Sequence, residues 1–230
     1  MTTHRIVSHQ EWLEASRAFL DEEKEFTRLR DALSRRRREL PWERVEKSYV
    51  FDAPEGRITL ADLFGPHSQL LVYHFMFGPD WSEGCHGCSF WADNYNGVDI
   101  HLAHRDTALV AVSRAPLAKL AAYKKRMGWS FRWVSSAGCD FNYDFGVTSR
   151  PGEKSIDYNF GTTKVDMEEK PGISAFCRGD DGTIYRTYST YARGLDMLNG
   201  AYHLLDLTSK GRHEGGLSFP MAWVRRRDQY

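Results

Sequence analysis

No apolar run in this 230-residue chain approaches the ~20 residues a membrane-spanning helix needs. Net charge is also missing, since 31 Lys and Arg balance 31 Asp and Glu. Without a whole-molecule field, neither nucleic acid nor a membrane surface is expected as a partner. The segment from Met1 to Val7 lacks the apolar stretch of a signal peptide. Cysteine is scarce, with four in all. A cytoplasmic, reducing setting is therefore expected, and a close cysteine pair there points to catalysis or metal binding before a structural staple. A structural zinc site needs four ligands, and no second CxxC or Cys-His pair at finger spacing exists. No metal and no cofactor are expected.

Hydrophobic content of 41% with 27% charged residues excludes a disordered chain. The length suits one well-buried domain with additions. Residues 1–47 read as a helical extension. Ser8-His9-Gln10-Glu11 fits a capping box. Trp12, Phe19, Phe26, Leu33 and Leu40 recur every seven residues as a narrow apolar stripe, before Pro41 stops the helix. The run Arg35-Arg36-Arg37-Arg38 lies among acidic neighbours and reads as a solvated helical face.

Residues 48–210 form the expected main domain. Short strands at 49–51 and 57–60 flank a turn, and residues 70–77 form a buried central strand. A helix from Cys85 to about Ala103, an apolar strand at 108–112, a helix after Pro116 and a strand at 131–134 follow. Residues 136–170 are loop-rich. Gly179-Asp180-Asp181-Gly182 between two apolar runs predicts a hairpin, with a helix over 195–205 after it. The alternation predicts an α/β, thioredoxin-like three-layer fold with a mixed central sheet, plus the N-terminal helical extension. Residues 211–230 are a basic, aromatic tail expected to pack on the domain or on a partner. The stripe and the tail together predict a homodimer.

Cys85-His86-Gly87-Cys88 carries the chemistry. Two thiols three residues apart at a helix start can close a disulfide, and the first sits where orphan N–H groups and the helix dipole favour a thiolate. Cys85 is expected to attack, aided by His86, and Cys88 to resolve the mixed disulfide. His101 and His104 lie far along the helix and read as surface histidines. Cys177 reads as a small core residue and Cys139 as a loop residue.

Gly84-Cys85-His86-Gly87-Cys88-Ser89-Phe90-Trp91-Ala92-Asp93 resembles the active-site stretch of the bacterial family labelled domain of unknown function 899. So do Val112-Ser113-Arg114-Ala115-Pro116, Arg126-Met127-Gly128-Trp129 and Thr187-Tyr188-Ser189-Thr190-Tyr191-Ala192-Arg193-Gly194. The resemblance spans the chain and implies a thioredoxin-like fold with dithiol-disulfide oxidoreductase activity on an unknown disulfide, protein or small molecule. Likeness to thioredoxins proper implies three more roles. Pro171 matches their substrate-facing cis-proline. His74 stands where they carry an acidic residue in the strand before the motif, and would accept the second thiol's proton. Trp81 precedes the motif by four positions, where they carry Trp directly before the first Cys, and with His86 and Pro171 would meet substrate.

Two rival classes compete. A peroxiredoxin-like peroxidase would carry P-x-x-x-T/S-x-x-C; Ser82 lies three before Cys85, but Pro79 lies six before rather than seven. A non-catalytic binding or assembly module would use the same fold without turnover.

Overall fold

The computed structural model describes residues 4–230, so the first three residues of the N-terminal segment read above lie outside it. The described residues divide into two compact units, one ending at residue 41 and the other spanning 42–230. The first is one helix, α1 (His9–Arg38). Its N-terminus is the capping box of Ser8 and Glu11, each side chain meeting the other's backbone N–H. Four arginines in its last turn lie where the dipole favours cations. None of its residues is buried, and Trp12, Phe19 and Phe26 are all exposed.

The second unit is built on an eight-stranded sheet. Its strands begin with β1 (Glu43–Arg44), β2 (Val50–Ala53), β3 (Gly56–Thr59) and β4 (Gln69–His74). After β4 come α2 (His86–Tyr95), α3 (Val98–Ala103), β5 (Thr107–Ser113), α4 (Leu117–Met127) and β6 (Arg132–Ser135). Then follow α5 (Phe141–Asp144), a separate hairpin of β7 (Ile156–Tyr158) and β8 (Thr163–Val165), then β9 (Gly172–Arg178), β10 (Ile184–Tyr191) and α6 (Gly200–Asp206). The sheet order is β1-β10-β9-β4-β5-β6-β2-β3. β4, β5 and β6 are parallel, while β9 runs antiparallel to β4 on its other side and β10 returns antiparallel to β9, the two forming a hairpin. Parallel neighbours require crossovers, which α2 with α3, and then α4, provide. This is a thioredoxin-like α/β fold with a mixed central sheet.

Strand alternation sorts the core into two layers. Tyr73, Ala111, Trp133 and Ile173 face the layer of α2, α4 and α6. Leu70, Val72, Val110, Val112 and Phe176 face the opposite layer, with Phe51, Phe64 and Phe141.

Three boundaries differ from expectation. Trp42 to Lys47 belongs with the body rather than the extension, because β1 pairs with β10. The helix expected over 85–103 breaks into α2 and α3 at Gly97, whose φ of 90° is left-handed backbone that glycine adopts without steric cost. The helix expected over 195–205 is a 3-10 turn, Ala192–Leu198, followed by α6. Cys177 is half-buried rather than a core residue, and all four cysteines are free thiols. No helix among the described residues is long and apolar enough to cross a membrane.

Candidate active site

β4 delivers the chain to the dithiol. Beyond His74 the ladder gives way to single bonds, Phe75 N–H to Val112 O at 3.0 Å and Ala115 N–H to Phe77 O at 2.8 Å. The loop then returns so that Cys85 N–H donates to Met76 O at 3.1 Å, while Met76 N–H donates to Cys88 Sγ at 3.4 Å. One residue at the strand end thus holds both cysteines. The close return depends on Gly84, where a Cβ would meet the rings of Phe75 and Tyr123 at 2.8 Å. Neither buried ring has room to withdraw. Gly84→Ala is expected to lower stability in urea denaturation by about 1–3 kcal/mol, the usual cost of overpacking.

Cys85 is the N-cap of α2, and its Sγ accepts the Cys88 N–H at 3.4 Å. Its carbonyl accepts from both the N–H and the hydroxyl of Ser89, at 2.9 and 2.8 Å. The Cys85 thiol is lowered to about 7. The Cys88 thiol hydrogen-bonded to it is the largest cause; burial opposes the shift, and the N–H groups of Cys88 and Gly87 and the charge of Arg226 add to it. Cys88 is buried, and its thiol is pushed well up, first by burial and then by its bond to Cys85. One helical turn therefore holds a ready thiolate beside a thiol that keeps its proton.

The C-terminal tail closes the site from the same chain. Arg226 donates from Nη2 to Gly84 O at 2.8 Å and from Nε to the Tyr123 hydroxyl at 2.9 Å, and Nη1 pairs with Glu83 at 2.9 Å. Upstream, a single Glu214 oxygen accepts from the Tyr202 hydroxyl, the Met221 N–H and the Trp223 indole, all within 2.9 Å. Met221 has φ of 72°, left-handed backbone uncommon for such a side chain, and its Cε lies 3.0 Å from where a Cβ on Gly87 would stand. The tail is thus docked on its own domain, with Arg226 and Arg227 engaged there.

The sequence-predicted residues divide. Cys85, Cys88 and Pro171 line one pocket of about 390 Å³, with Tyr73, Trp91, Leu195 and Met221. The peptide bond before Pro171 is trans, not cis. His74 does not join them. It lies on the strand parity that faces the opposite layer, stacked on Phe141 at 5.5 Å, with Nε2 bonded to Ser174 Oγ at 2.8 Å. Burial first, and then the charge of Arg186, lower it to about 3. On the face of the sheet away from the dithiol, and with so low an affinity for a proton, His74 is not placed to accept one from Cys88. Trp81 packs half-buried in the loop before the motif, over Gly78, and is not on the pocket wall. His86 follows Cys85 but is also off that wall, and burial, then Arg226 and Arg225, hold its imidazole toward the neutral form. Arg226 is the cation acting on Cys85. The sequence marked residues 211–230 as a basic, aromatic tail that packs on the domain or on a partner, but gave no sign that Arg226 reaches the dithiol.

A second cavity of about 430 Å³, beside β1, is lined by no cysteine.

The strand order, with a thiol pair opening the helix after the central strand, defines a thioredoxin-like protein with a dithiol at its helix N-terminus. The chain belongs to the family described as bacterial protein of unknown function (DUF899), which it matches over residues 1–230. No curated protein matches it. Among solved structures it is similar to peroxidoxin BcpB from Mycobacterium tuberculosis, at 14% identity and TM-score 0.46, covering 71% of this chain and 96% of that one. A mutant of Xylella fastidiosa PrxQ matches at 12% identity and TM-score 0.46, covering 71% and 95%. Xanthomonas campestris peroxiredoxin Q matches at 16% identity and TM-score 0.43, covering 66% and 87%.

Proposed function

We propose that the protein is a thiol-disulfide oxidoreductase in which Cys85 attacks and Cys88 resolves. The observation that carries this reading is the opposite polarisation of two thiols one helical turn apart, with Cys85 lowered to about 7 and Cys88 raised. The thiolate is the nucleophile in exchange, and a thiol titrating near ambient pH combines thiolate fraction with nucleophilicity. Cys85 thiolate attacks a substrate disulfide and expels one thiolate. Cys88 then attacks Cys85 Sγ, and its proton leaves with the second departing thiol. Two electrons pass to the substrate, leaving a Cys85–Cys88 disulfide. The second attack needs no side-chain base, consistent with His74 lying behind the sheet.

The test is the pH dependence of alkylation of the reduced protein by iodoacetamide, with the modified residue identified by peptide mass. Cys85 is depressed, so its thiolate is present above about pH 7 and lost below it. The rate at Cys85 is expected to rise through a midpoint near that pH, with Cys88 unmodified. A midpoint in the ordinary thiol range, or preferential labelling of Cys88, would remove the proposal and favour the assembly-module reading.

A further inference from the structure

The pocket that meets the two sulfurs has a wall most of whose polar side-chain atoms are already paired. The Tyr73 hydroxyl donates to Cys88 O at 3.3 Å, the Trp91 indole to Leu195 O at 2.8 Å, and the Tyr202 hydroxyl to Glu214 at 2.7 Å. One Glu214 oxygen, Oε1, is itself held by three donors, and Asp196 is bound by both terminal nitrogens of Arg212 at 2.9 Å. The exceptions are the second Glu214 oxygen and Arg193, a largely exposed side chain paired loosely with Asp196 at 3.5 Å. What remains facing inward is hydrocarbon, ring face and thioether from Tyr73, Met76, Trp91, Leu195, Pro171 and Met221. A ligand with hydroxyl, amide or charged groups would lose water there without replacement.

The backbone near Pro171 is closed as well. An extended peptide docks through free main-chain N–H and C=O groups. Pro171 has no N–H, its carbonyl accepts the Tyr158 hydroxyl at 2.5 Å, and the Lys170 N–H donates to Val147 O at 2.8 Å. From Gly172 onward the strand is paired on both sides, with β4 and β10. No strand edge is left beside the dithiol for a protein substrate to join.

Resting on the oxidoreductase reading, we infer that the substrate is a small, uncharged, apolar disulfide that enters this pocket, rather than an extended protein chain. The reaction is R–S–S–R′ with Cys85 thiolate and Cys88 thiol giving the Cys85–Cys88 disulfide, one thiolate RS⁻ and one thiol R′SH. The protein's own pair is the reductant, so one turnover of pre-reduced protein needs no other.

The full-length reduced protein would be mixed separately with dipropyl disulfide, bis(2-hydroxyethyl) disulfide and insulin, and formation of the Cys85–Cys88 disulfide followed by quenched alkylation and mass. Each rate is divided by that of dithiothreitol with the same compound, which removes intrinsic S–S reactivity. Dipropyl disulfide is expected to exceed bis(2-hydroxyethyl) disulfide by about tenfold, because each hydroxyl entering an apolar wall is desolvated and each terminal methyl is buried. Insulin is expected to be the slowest. Met221→Gln, which keeps side-chain length and adds an amide, is expected to reduce the dipropyl preference several-fold. Equal normalised rates for the two small disulfides, a fastest rate with insulin, or a preference untouched by Met221→Gln would overturn the substrate class while exchange itself stood. Failure of all three compounds to oxidise the pair would instead overturn the oxidoreductase reading.

Discussion

Cys88→Ser is expected to convert the protein into a trap, and Cys85→Ser to silence it. With Cys88 replaced, the Cys85 thiolate still attacks a disulfide, but nothing one turn along the helix can release the adduct. A stable mixed disulfide at Cys85 should accumulate, visible by mass and discharged by dithiothreitol. Cys85→Ser removes the only one of the pair held toward the thiolate, leaving Cys88 buried and raised. Disulfide reduction should then fall by ~10³-fold or more, the scale on which loss of a nucleophile acts. Both variants should retain the fold, because serine occupies less volume than cysteine and neither sulfur is a bridging staple. Full activity in Cys85→Ser would end the catalytic reading; release without a trapped adduct in Cys88→Ser would end the resolving role. In Cys88→Ala, which leaves no side-chain donor at this place, the free Cys85 thiol should also titrate higher than in the native protein, because the Cys88 thiol is the largest cause of its lowered value.

Arg226→Leu carries the second large effect. The side chain is 16% exposed, and its guanidinium ties the tail to Gly84, Tyr123 and Glu83. Losing a set of charge-assisted bonds of this kind, in a partly buried place, is expected to cost about 2–4 kcal/mol in urea denaturation. A second readout separates a positioning role from a purely structural one. Arg226 is among the causes that hold Cys85 down, so the alkylation midpoint should move up from about 7 when the charge is removed. The sign follows from the charge: a nearby cation stabilises the thiolate, and its removal restores the thiol. Arg226→Lys keeps the charge but cannot reproduce a planar fork that reaches a carbonyl, a hydroxyl and a carboxylate together. That variant should lose stability while the midpoint stays near the native one. A midpoint unmoved in Arg226→Leu would leave Arg226 as a tail anchor alone.

Much of this molecule is local and was therefore legible. The capping box at Ser8 and Glu11, the hairpin around residues 179–182 and the dithiol at a helix start each depend on residues within a few positions of one another. Boundaries were less legible where a single backbone conformation decided them. Gly97 breaks α2 from α3 with a left-handed φ that composition alone does not distinguish from a tolerated glycine. β1 is two residues long and exists because β10 offers an edge, so no signal in Glu43-Arg44 could announce it.

For the site, the sequence by itself determined that two thiols lie one turn apart, the first on orphan amides at a helix N-terminus. It also fixed that His74 and Tyr73 point to opposite sides of a strand, since side chains alternate. Which of those sides faces the dithiol was decided only when α2 packed over Tyr73 and α5 over His74. The same holds for the cation. Arg226 reaches the carbonyl of Gly84 across 142 positions of chain, a contact that depends on how the tail lies against α2 and α4 and on no spacing in the sequence. Local periodicity specifies reactive groups; the electrostatic field and the pocket that tune them arise from segments brought together by burial.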